Sequence, residues 1–433
     1  MINSKFSKGV ITLVISGFLT KILGLVIKIV TTRIIGQEGI SIYMLILPTL
    51  MLVITLSQLG IPLALSKIIA ERNTNKKRII LSTIPVVLTL NIILMVVLIV
   101  CAPFLANNLL KNSVVLGPLY LVAFSIPLFS ISNIIKSYYI GTQNMFPTMV
   151  AHLFEQLIRL FFIMIFLPKA LNISLSFAVQ AIVVGVMLGE SMAIIVMIWF
   201  IRKRISFNKS DFKTNRNYIK RISEISIPST GSRLIGSMSY FLEPILITSI
   251  LIYIGYSREF IVSQYGIING YSISLLLLPS FFSYAISTAL LPAISNAYSS
   301  KNLQQVKTII FKSIFYSFIT GGLATIVIMT FPEALLKAIY NTTSGVEYIR
   351  YLGPAFVIYY IQAPLTATLQ ATGNAKLAMK STLIGTILKL AIIIVIPFIY
   401  NMGMYTLALA NVFNILVVTV LHVYKVKKYV LTS

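Results

Sequence analysis

The sequence predicts an all-α polytopic membrane protein with twelve transmembrane helices, arranged as two parallel six-helix repeats around a central cavity. Of its 433 residues, 58% are hydrophobic and only 10% are charged, and the mean hydropathy is +0.94. A water-soluble protein of this length could not bury so much apolar surface. Long apolar runs recur from end to end, and a six-helix unit is repeated.

Twelve apolar runs predict the individual helices, several of them longer than the roughly 20 residues that cross the hydrocarbon core. The expected ranges are 9–35, 40–70, 79–104, 114–140, 146–168, 173–201, 222–255, 260–297, 308–332, 346–370, 377–400 and 403–424. The first run follows Lys5 and Lys8, as in a signal peptide. It continues without a convincing small-residue cleavage site, so we interpret it as a retained transmembrane helix.

Basic residues predict the orientation of the helices. The chain has 35 Lys and Arg against 10 Asp and Glu, a net charge of +25. With the N-terminus inside, the inner segments hold 23 of the 35 and the outer loops only six. The positive-inside rule therefore places both termini in the cytoplasm. We attribute the excess charge to topology and anionic lipid, and expect no nucleic-acid partner.

A repeat relates the two halves of the chain. TKILG at 20–24 reappears as SRLIG at 232–236, and LGP at 116–118 reappears at 352–354. Because each half has an even number of helices, both halves share one orientation in the membrane. The longest polar interruption lies between them. The expected domains are an N-terminal lobe, a basic cytoplasmic linker and a C-terminal lobe, at 1–204, 205–221 and 222–433.

The polar residues contain no recognisable catalytic constellation. There is no phosphate-binding glycine loop, zinc-ligand spacing or Ser/His/Asp arrangement in the polar loops. The single cysteine, Cys101, excludes an internal disulfide and a cysteine-rich metal site. His152 and His422 lie near cytoplasmic helix ends, where we interpret them as interfacial or packing residues. We therefore expect no enzyme activity, cofactor or metal.

Six cations counted in neither the inner segments nor the outer loops are the most informative residues, because a central Lys or Arg costs roughly 2.5–3.5 kcal/mol on insertion scales. They are Lys21, Lys28, Lys67, Arg159, Arg233 and Lys389. Lys67 is close enough to a helix end to extend to the interface. The repeat pairs Lys21 with Arg233 and Arg159 with Lys389, so each pair is expected to face across the central cavity.

Only three carboxylates lie well inside the predicted helices, away from their ends, namely Glu155, Glu190 and Glu243. Glu155 precedes Arg159 by four residues, a favourable helical spacing, whereas the matching position in the second half is Gly385. Three cations remain in excess, which suits an anionic substrate such as a phosphate. The alternative is that glutamates, backbone carbonyls and water satisfy these charges.

The segment TKILGLVIKIVTTRIIGQEGISIYMLILP, followed by GIPLALSKIIAE, is similar to a known family. It resembles the stage V sporulation protein B and polysaccharide-export branch of the multidrug/oligosaccharidyl-lipid/polysaccharide (MOP) flippase superfamily. The resemblance is specific over 16–72 and weaker over the whole chain. It implies a V-shaped pair of six-helix bundles that alternates between inward- and outward-open forms, and a lipid-linked sugar substrate.

Related lipid II flippases have basic residues on the first helix in a pattern like [ST]-[RK]-x-x-G-x-x-[RK]. Thr20 to Gly24 match its first part, which assigns Lys21 to substrate binding, and Lys28 lies one place beyond its last position. Those flippases also have two further helices that are linked to a groove for the lipid tail. The resemblance also suggests a role in peptidoglycan, another polysaccharide or sporulation.

These observations predict a flippase for a lipid-linked oligosaccharide or cell-envelope polysaccharide precursor, working by alternating access among membrane lipids. Lys21, Lys28, Arg233 and Lys389 would hold an anionic headgroup, with Arg159 positioned by Glu155. One alternative is a cation-coupled multidrug exporter of the same fold that uses Glu190 and Glu243. A second is a non-transporting scaffold that recruits envelope-synthesis enzymes through its basic loops.

Overall fold

The computed structural model describes residues 4–71, 76–142, 144–202 and 216–431, and these form helices joined by short turns. The α-helices are α1 Ser4–Gln58, α2 Ile61–Ala70, α3 Lys76–Phe104, α4 Leu116–Gly141, α5 Phe146–Ile173, α6 Leu175–Arg202, α7 Arg216–Ile254, α8 Arg258–Gly266, α9 Ile273–Leu277, α10 Ser280–Ser299, α11 Leu303–Thr330, α12 Pro332–Tyr340, α13 Val346–Tyr359, α14 Gln362–Ala371, α15 Ala375–Ile399 and α16 Tyr405–Val426. Short π-helical segments are Leu105–Leu109, Ile267–Ser272 and Lys427–Leu431.

Eleven stretches of the described residues are long and apolar enough to cross a membrane, and the first, Leu19–Ala70, has 52 residues. Helix α1 within it is interrupted at Gly36, which has φ 64° and ψ −166°. This backbone region is essentially restricted to glycine, because a Cβ would collide with the backbone. Gly36 divides the stretch into the first and second predicted helices, which gives twelve spans. The twelve-helix, all-α prediction is confirmed.

The second predicted helix of each half is broken in the structure. In the first half, Leu59 and Gly60 have positive φ between α1 and α2. In the second half, the predicted helix 260–297 consists of α8, a π-helical segment, α9 and α10, with a turn at Leu278 and Pro279. Glycine permits the first break, and proline, which cannot donate a backbone hydrogen bond, accompanies the second.

The chain divides into two compact units, residues 1–241 and 242–433, here named unit 1 and unit 2. The boundary falls within α7. Part of the predicted linker, 205–215, lies outside the described residues, and α7 begins at Arg216.

Close helix packing positions the charged side chains in each unit. In unit 1, a Cβ added to Gly189 of α6 would lie 2.8 Å from the carbonyl oxygen of Glu155 on α5. In unit 2, a Cβ added to Gly385 of α15 would lie 2.4 Å from Cγ2 of Val418 on α16. Both distances are shorter than a van der Waals contact, so glycine allows these helices to approach closely.

Candidate functional site

A cavity of about 180 Å³ lies within unit 1 between α1, α5 and α6. Its α1 side chains come from both sides of the break at Gly36, and Arg159 and Ile182 complete the wall. The α1 residues are Gly24, Ile27, Lys28, Thr31, Thr32, Ile40, Tyr43, Met44 and Leu47. Their spacing of three and four residues places each group on one face of its helical segment. Two sequence-predicted site residues, Lys28 and Arg159, therefore line one cavity.

The cavity contains hydrogen-bonding capacity that the described residues do not use. The Nε atom of Arg159 and the Oγ1 atom of Thr32 are buried and have no hydrogen-bond partner in the described part of the chain. An unpaired buried donor costs about 1–3 kcal/mol. Two cationic side chains in one cavity also repel each other. The arrangement is therefore suited to an anion with several oxygen acceptors.

A separate cluster in unit 1 contains two of the predicted carboxylates. Lys136 Nζ on α4 lies 2.9 Å from Glu190 Oε1 on α6 and 4.0 Å from Glu155 Oε2 on α5. His152 Nδ1 lies 3.0 Å from the same Glu155 oxygen. The Glu155 carboxylate thus contacts Lys136 and His152, and it also interacts electrostatically with Arg159. Positioning of Arg159 by Glu155 stays a prediction.

Unit 2 contains the third predicted carboxylate, in a buried ion pair. Lys389 Nζ on α15 contacts Glu243 Oε2 on α7, and the side chain of Glu243 is only 3% exposed. The hydroxyl of Tyr265 donates a hydrogen bond of 3.3 Å to the other Glu243 oxygen. Lys389 is therefore neutralised within its own unit, whereas Arg159, its counterpart in the repeat, lines the cavity.

The remaining predicted cations, Lys21 and Arg233, are both exposed. Arg233 Nη1 donates a hydrogen bond of 2.7 Å to Gln58 Oε1, at the end of α1. Because Gln58 is neutral, this bond orients the guanidinium group without cancelling its charge. The facing of Lys21 and Arg233 across a central cavity stays a prediction.

Sequence reasoning missed the role of Lys136, which it counted among the cytoplasmic cations, and the ionic contact of His152. Lys136 lies five residues before the end of α4 and its side chain is 15% exposed. Its position within a helix was a signal that could have identified it. Its two acidic partners belong to other helices, however, and their proximity depends on the rotation of each helix about its axis.

Family comparisons agree with this architecture. A profile of the polysaccharide biosynthesis protein family matches residues 6–298, and a MatE profile matches 238–395. Stage V sporulation protein B of Bacillus subtilis (strain 168) is 32% identical over 440 residues, which cover 99% of this chain and 85% of that protein. Lipid II flippase MurJ of the same organism is 21% identical over 429 residues, covering 90% and 77% respectively.

Solved structures share the fold. The inward-facing conformation of a multidrug resistance MATE family transporter of the MOP superfamily has a TM-score of 0.74 and 18% identity, covering 94% of this chain and 93% of the other. A MOP superfamily transporter from Pyrococcus furiosus has a TM-score of 0.65 and 17% identity, covering 97% and 95%. The family profile and the sporulation-protein relative establish that the chain belongs to the polysaccharide biosynthesis protein family and is related to stage V sporulation protein B, and the solved structures show that it shares their fold.

Proposed function

We propose that the protein is a flippase that moves a lipid-linked oligosaccharide or cell-envelope polysaccharide precursor across the cytoplasmic membrane of a bacterium by alternating access. The observation that carries the proposal is the cavity in unit 1 that Lys28 and Arg159 line. The family profile for polysaccharide biosynthesis proteins and the similarity to a lipid II flippase support this substrate class.

The cavity has the chemistry that a phosphate or pyrophosphate group requires. A guanidinium group presents several donors in a planar fork, and an ammonium group provides a compact point charge. The buried Nε atom of Arg159 and the hydroxyl of Thr32 would gain partners from the oxygens of such an anion. A cavity of about 180 Å³ suits the anionic part of a headgroup, while the sugar and lipid portions would lie outside it.

The pairing of the carboxylates strengthens the case for an anionic substrate. Lys136 contacts Glu155 and Glu190, and Lys389 contacts Glu243. The residues that line the cavity include no Asp or Glu. The inner positive charge is therefore concentrated where we place the headgroup. Lys21 and Arg233 would act on the same substrate during its entry or release.

Transport by reconstituted protein tests the proposal. In proteoliposomes with a fluorescent undecaprenyl-pyrophosphate sugar, we expect transfer between leaflets that falls at least tenfold in Lys28→Gln and in Arg159→Gln. A hydrogen bond to a charged group contributes about 1.5–3 kcal/mol, which corresponds to about tenfold or more. Lys67→Gln is the matched control, because Lys67 is exposed on α2 and does not line the cavity. Unchanged transfer in both cavity variants would contradict the proposal.

A multidrug exporter is the second candidate, and the MatE profile match at 238–395 favours it. Cation coupling would require carboxylates that exchange ions, and Glu190 and Glu243 are instead paired with lysines. Export of ethidium without lipid transfer would establish this candidate. If folded protein transported neither compound but bound envelope-synthesis enzymes, the scaffold function would replace both.

A further inference from the structure

A second cavity in unit 1 has almost entirely apolar walls. It is a groove of about 470 Å³ between α2, α3 and α7, and we name it the α3–α7 groove. Val86 and Leu90 line it from α3, and Ile219, Ile222 and Leu234 line it from α7. From Ile219 to Leu234 the α7 wall advances by fifteen residues, or about 22 Å along the helix axis. This length is a large part of the roughly 30 Å hydrocarbon core.

The groove opens onto a surface that is suited to hydrocarbon. Leu90 is 44% exposed, and Ile93, Val97 and Val100 continue from it along α3 with exposures of 54%, 52% and 72%. Their spacing of three, four and three residues places them on one face of the helix. In a membrane-spanning helix, such an exposed apolar face contacts lipid. A hydrocarbon chain can therefore pass from the bilayer into the groove without crossing polar surface.

An arginine lies beside each end of the α7 wall, and the two arginines differ in whether a carboxylate neutralises their charge. Arg221 precedes Ile222 and forms an ion pair of 2.9 Å with Glu71, so its charge is neutralised. Arg233 precedes Leu234, and its guanidinium group bonds to the neutral side chain of Gln58. The Arg233 end of the groove is therefore complementary to an anion, and the rest of the groove is complementary to hydrocarbon.

We propose that the α3–α7 groove holds the polyprenyl chain of the lipid-linked substrate during its entry or release, while a phosphate of the same molecule lies beside Arg233 and outside the Lys28–Arg159 cavity. This inference rests on the proposed function and adds a site for the lipid tail. The distribution of charge favours this occupant, because the anionic group and the hydrocarbon of one amphiphile meet matching surfaces. Because the chain enters from the bilayer, van der Waals packing against the groove walls holds it there, and not the removal of apolar surface from water.

Groove-filling substitutions test the inference from both walls. Ser223→Trp on α7 and Val86→Trp on α3 place a large side chain in the groove. The hydroxyl of Ser223 bonds only to the carbonyl of Lys220 in its own helix, so its loss breaks no contact between helices. Val327→Trp is the matched control, because Val327 is 51% exposed on α11 and does not line the groove.

The measurement is binding of two ligands with the same pyrophosphate-sugar headgroup, one with an undecaprenyl chain and one with a methyl group. We expect each groove variant to lose at least tenfold affinity for the long-chain ligand, with less than a twofold change for the methyl ligand. The control should bind both like the unsubstituted protein. Long-chain affinity that is unchanged in both groove variants would overturn the inference.

Two further results separate this inference from the proposed function. If the unsubstituted protein neither binds nor transports the long-chain ligand, the proposed function fails and the groove assignment fails with it. If transport occurs but both groove variants bind normally, only the groove assignment fails. A diazirine in the polyprenyl chain should label α3 and α7. Equal labelling by a diacyl phospholipid that competes with the substrate would assign the groove to bulk lipid and overturn the inference.

Discussion

Arg159 in unit 1 and Lys389 in unit 2 occupy matching places in the sequence repeat, each fifteen residues after an asparagine, Asn144 or Asn374. Their surroundings differ. Arg159 lines a cavity and has an unpartnered buried Nε atom, whereas Lys389 forms an ion pair with the buried Glu243. The repeat therefore retains a cation at this position without retaining its partner. Unit 2 satisfies its cation internally, whereas the proposed function assigns the cation of unit 1 to a ligand.

Removing the carboxylate in unit 2 should have the largest effect on stability. Glu243→Gln leaves Lys389 charged and buried without its partner, so we expect the free energy of unfolding to fall by about 3–5 kcal/mol. Adding Lys389→Met should restore much of this loss. Denaturant or thermal unfolding in detergent measures both changes. If Glu243→Gln were as stable as the unsubstituted protein, the ion pair would contribute nothing to stability. The contrast between Lys389 and Arg159 would then not hold.

Breaking the cluster in unit 1 should have a smaller effect. Lys136→Met leaves Glu190, with a side chain 6% exposed, without its lysine, while Glu155 keeps its contact with His152. We expect a loss of about 2 kcal/mol, in the range for an unsatisfied buried polar group. The double variant Lys136→Met with Glu190→Gln should recover stability in the same unfolding assay. A loss that persists in the double variant would show that packing of Lys136, and not its charge, is responsible.

Replacing the cavity cation itself should barely alter stability. Arg159→Gln breaks no hydrogen bond or ion pair within the described residues and loses only the electrostatic attraction to Glu155, four residues earlier, so the change should stay within about 0.5 kcal/mol. Transport should nevertheless fall, as given above. A loss of several kcal/mol would mean that Arg159, like Lys389, has a structural role, and the comparison would no longer hold.

The smallest effect should come from an exposed ion pair. Arg221→Ala removes the contact with Glu71, and both side chains are more than 40% exposed. Water screens such pairs, which contribute about 0–1 kcal/mol. The change in unfolding free energy should lie in this range and decrease further in high salt. A larger loss that does not depend on salt would show that this exposed ion pair contributes to stability as the buried pairs do. Burial would then not explain the difference between the pairs.

Much of the fold follows from the sequence, because each span is an apolar run of sufficient length. The runs 9–35 and 40–70 were separated at the polar segment that begins with Gly36, where the structure has its break. The break at Leu59 and Gly60 lies inside an apolar run and could not be located by hydropathy. Helix α12 was also missed, because it is short and follows the predicted end of its neighbour at residue 332.

The candidate site was harder to predict, because it depends on which faces of the helices meet. Lys28 and Arg159 were identified as functional cations, but the sequence paired Arg159 with Lys389 and gave Lys28 no counterpart in the repeat. When a helix is apolar on most of its faces, its sequence does not indicate how the helix is rotated about its axis. The contact of Lys389 with Glu243 joins residues that are far apart in the chain, and no local spacing indicates it.

The break at Gly36 has a genetic consequence. Outside the local backbone of Gly36, no heavy atom lies within 4 Å of the place that a Cβ would occupy. The surrounding space would therefore allow a larger residue at this position. Its φ of 64° would still be strained by about 1–3 kcal/mol in any other residue. Every missense change that a single nucleotide produces in a glycine codon introduces a Cβ. Codon 36 should therefore be depleted of missense variants in a library selected for transport, even though the neighbouring structure has room for them.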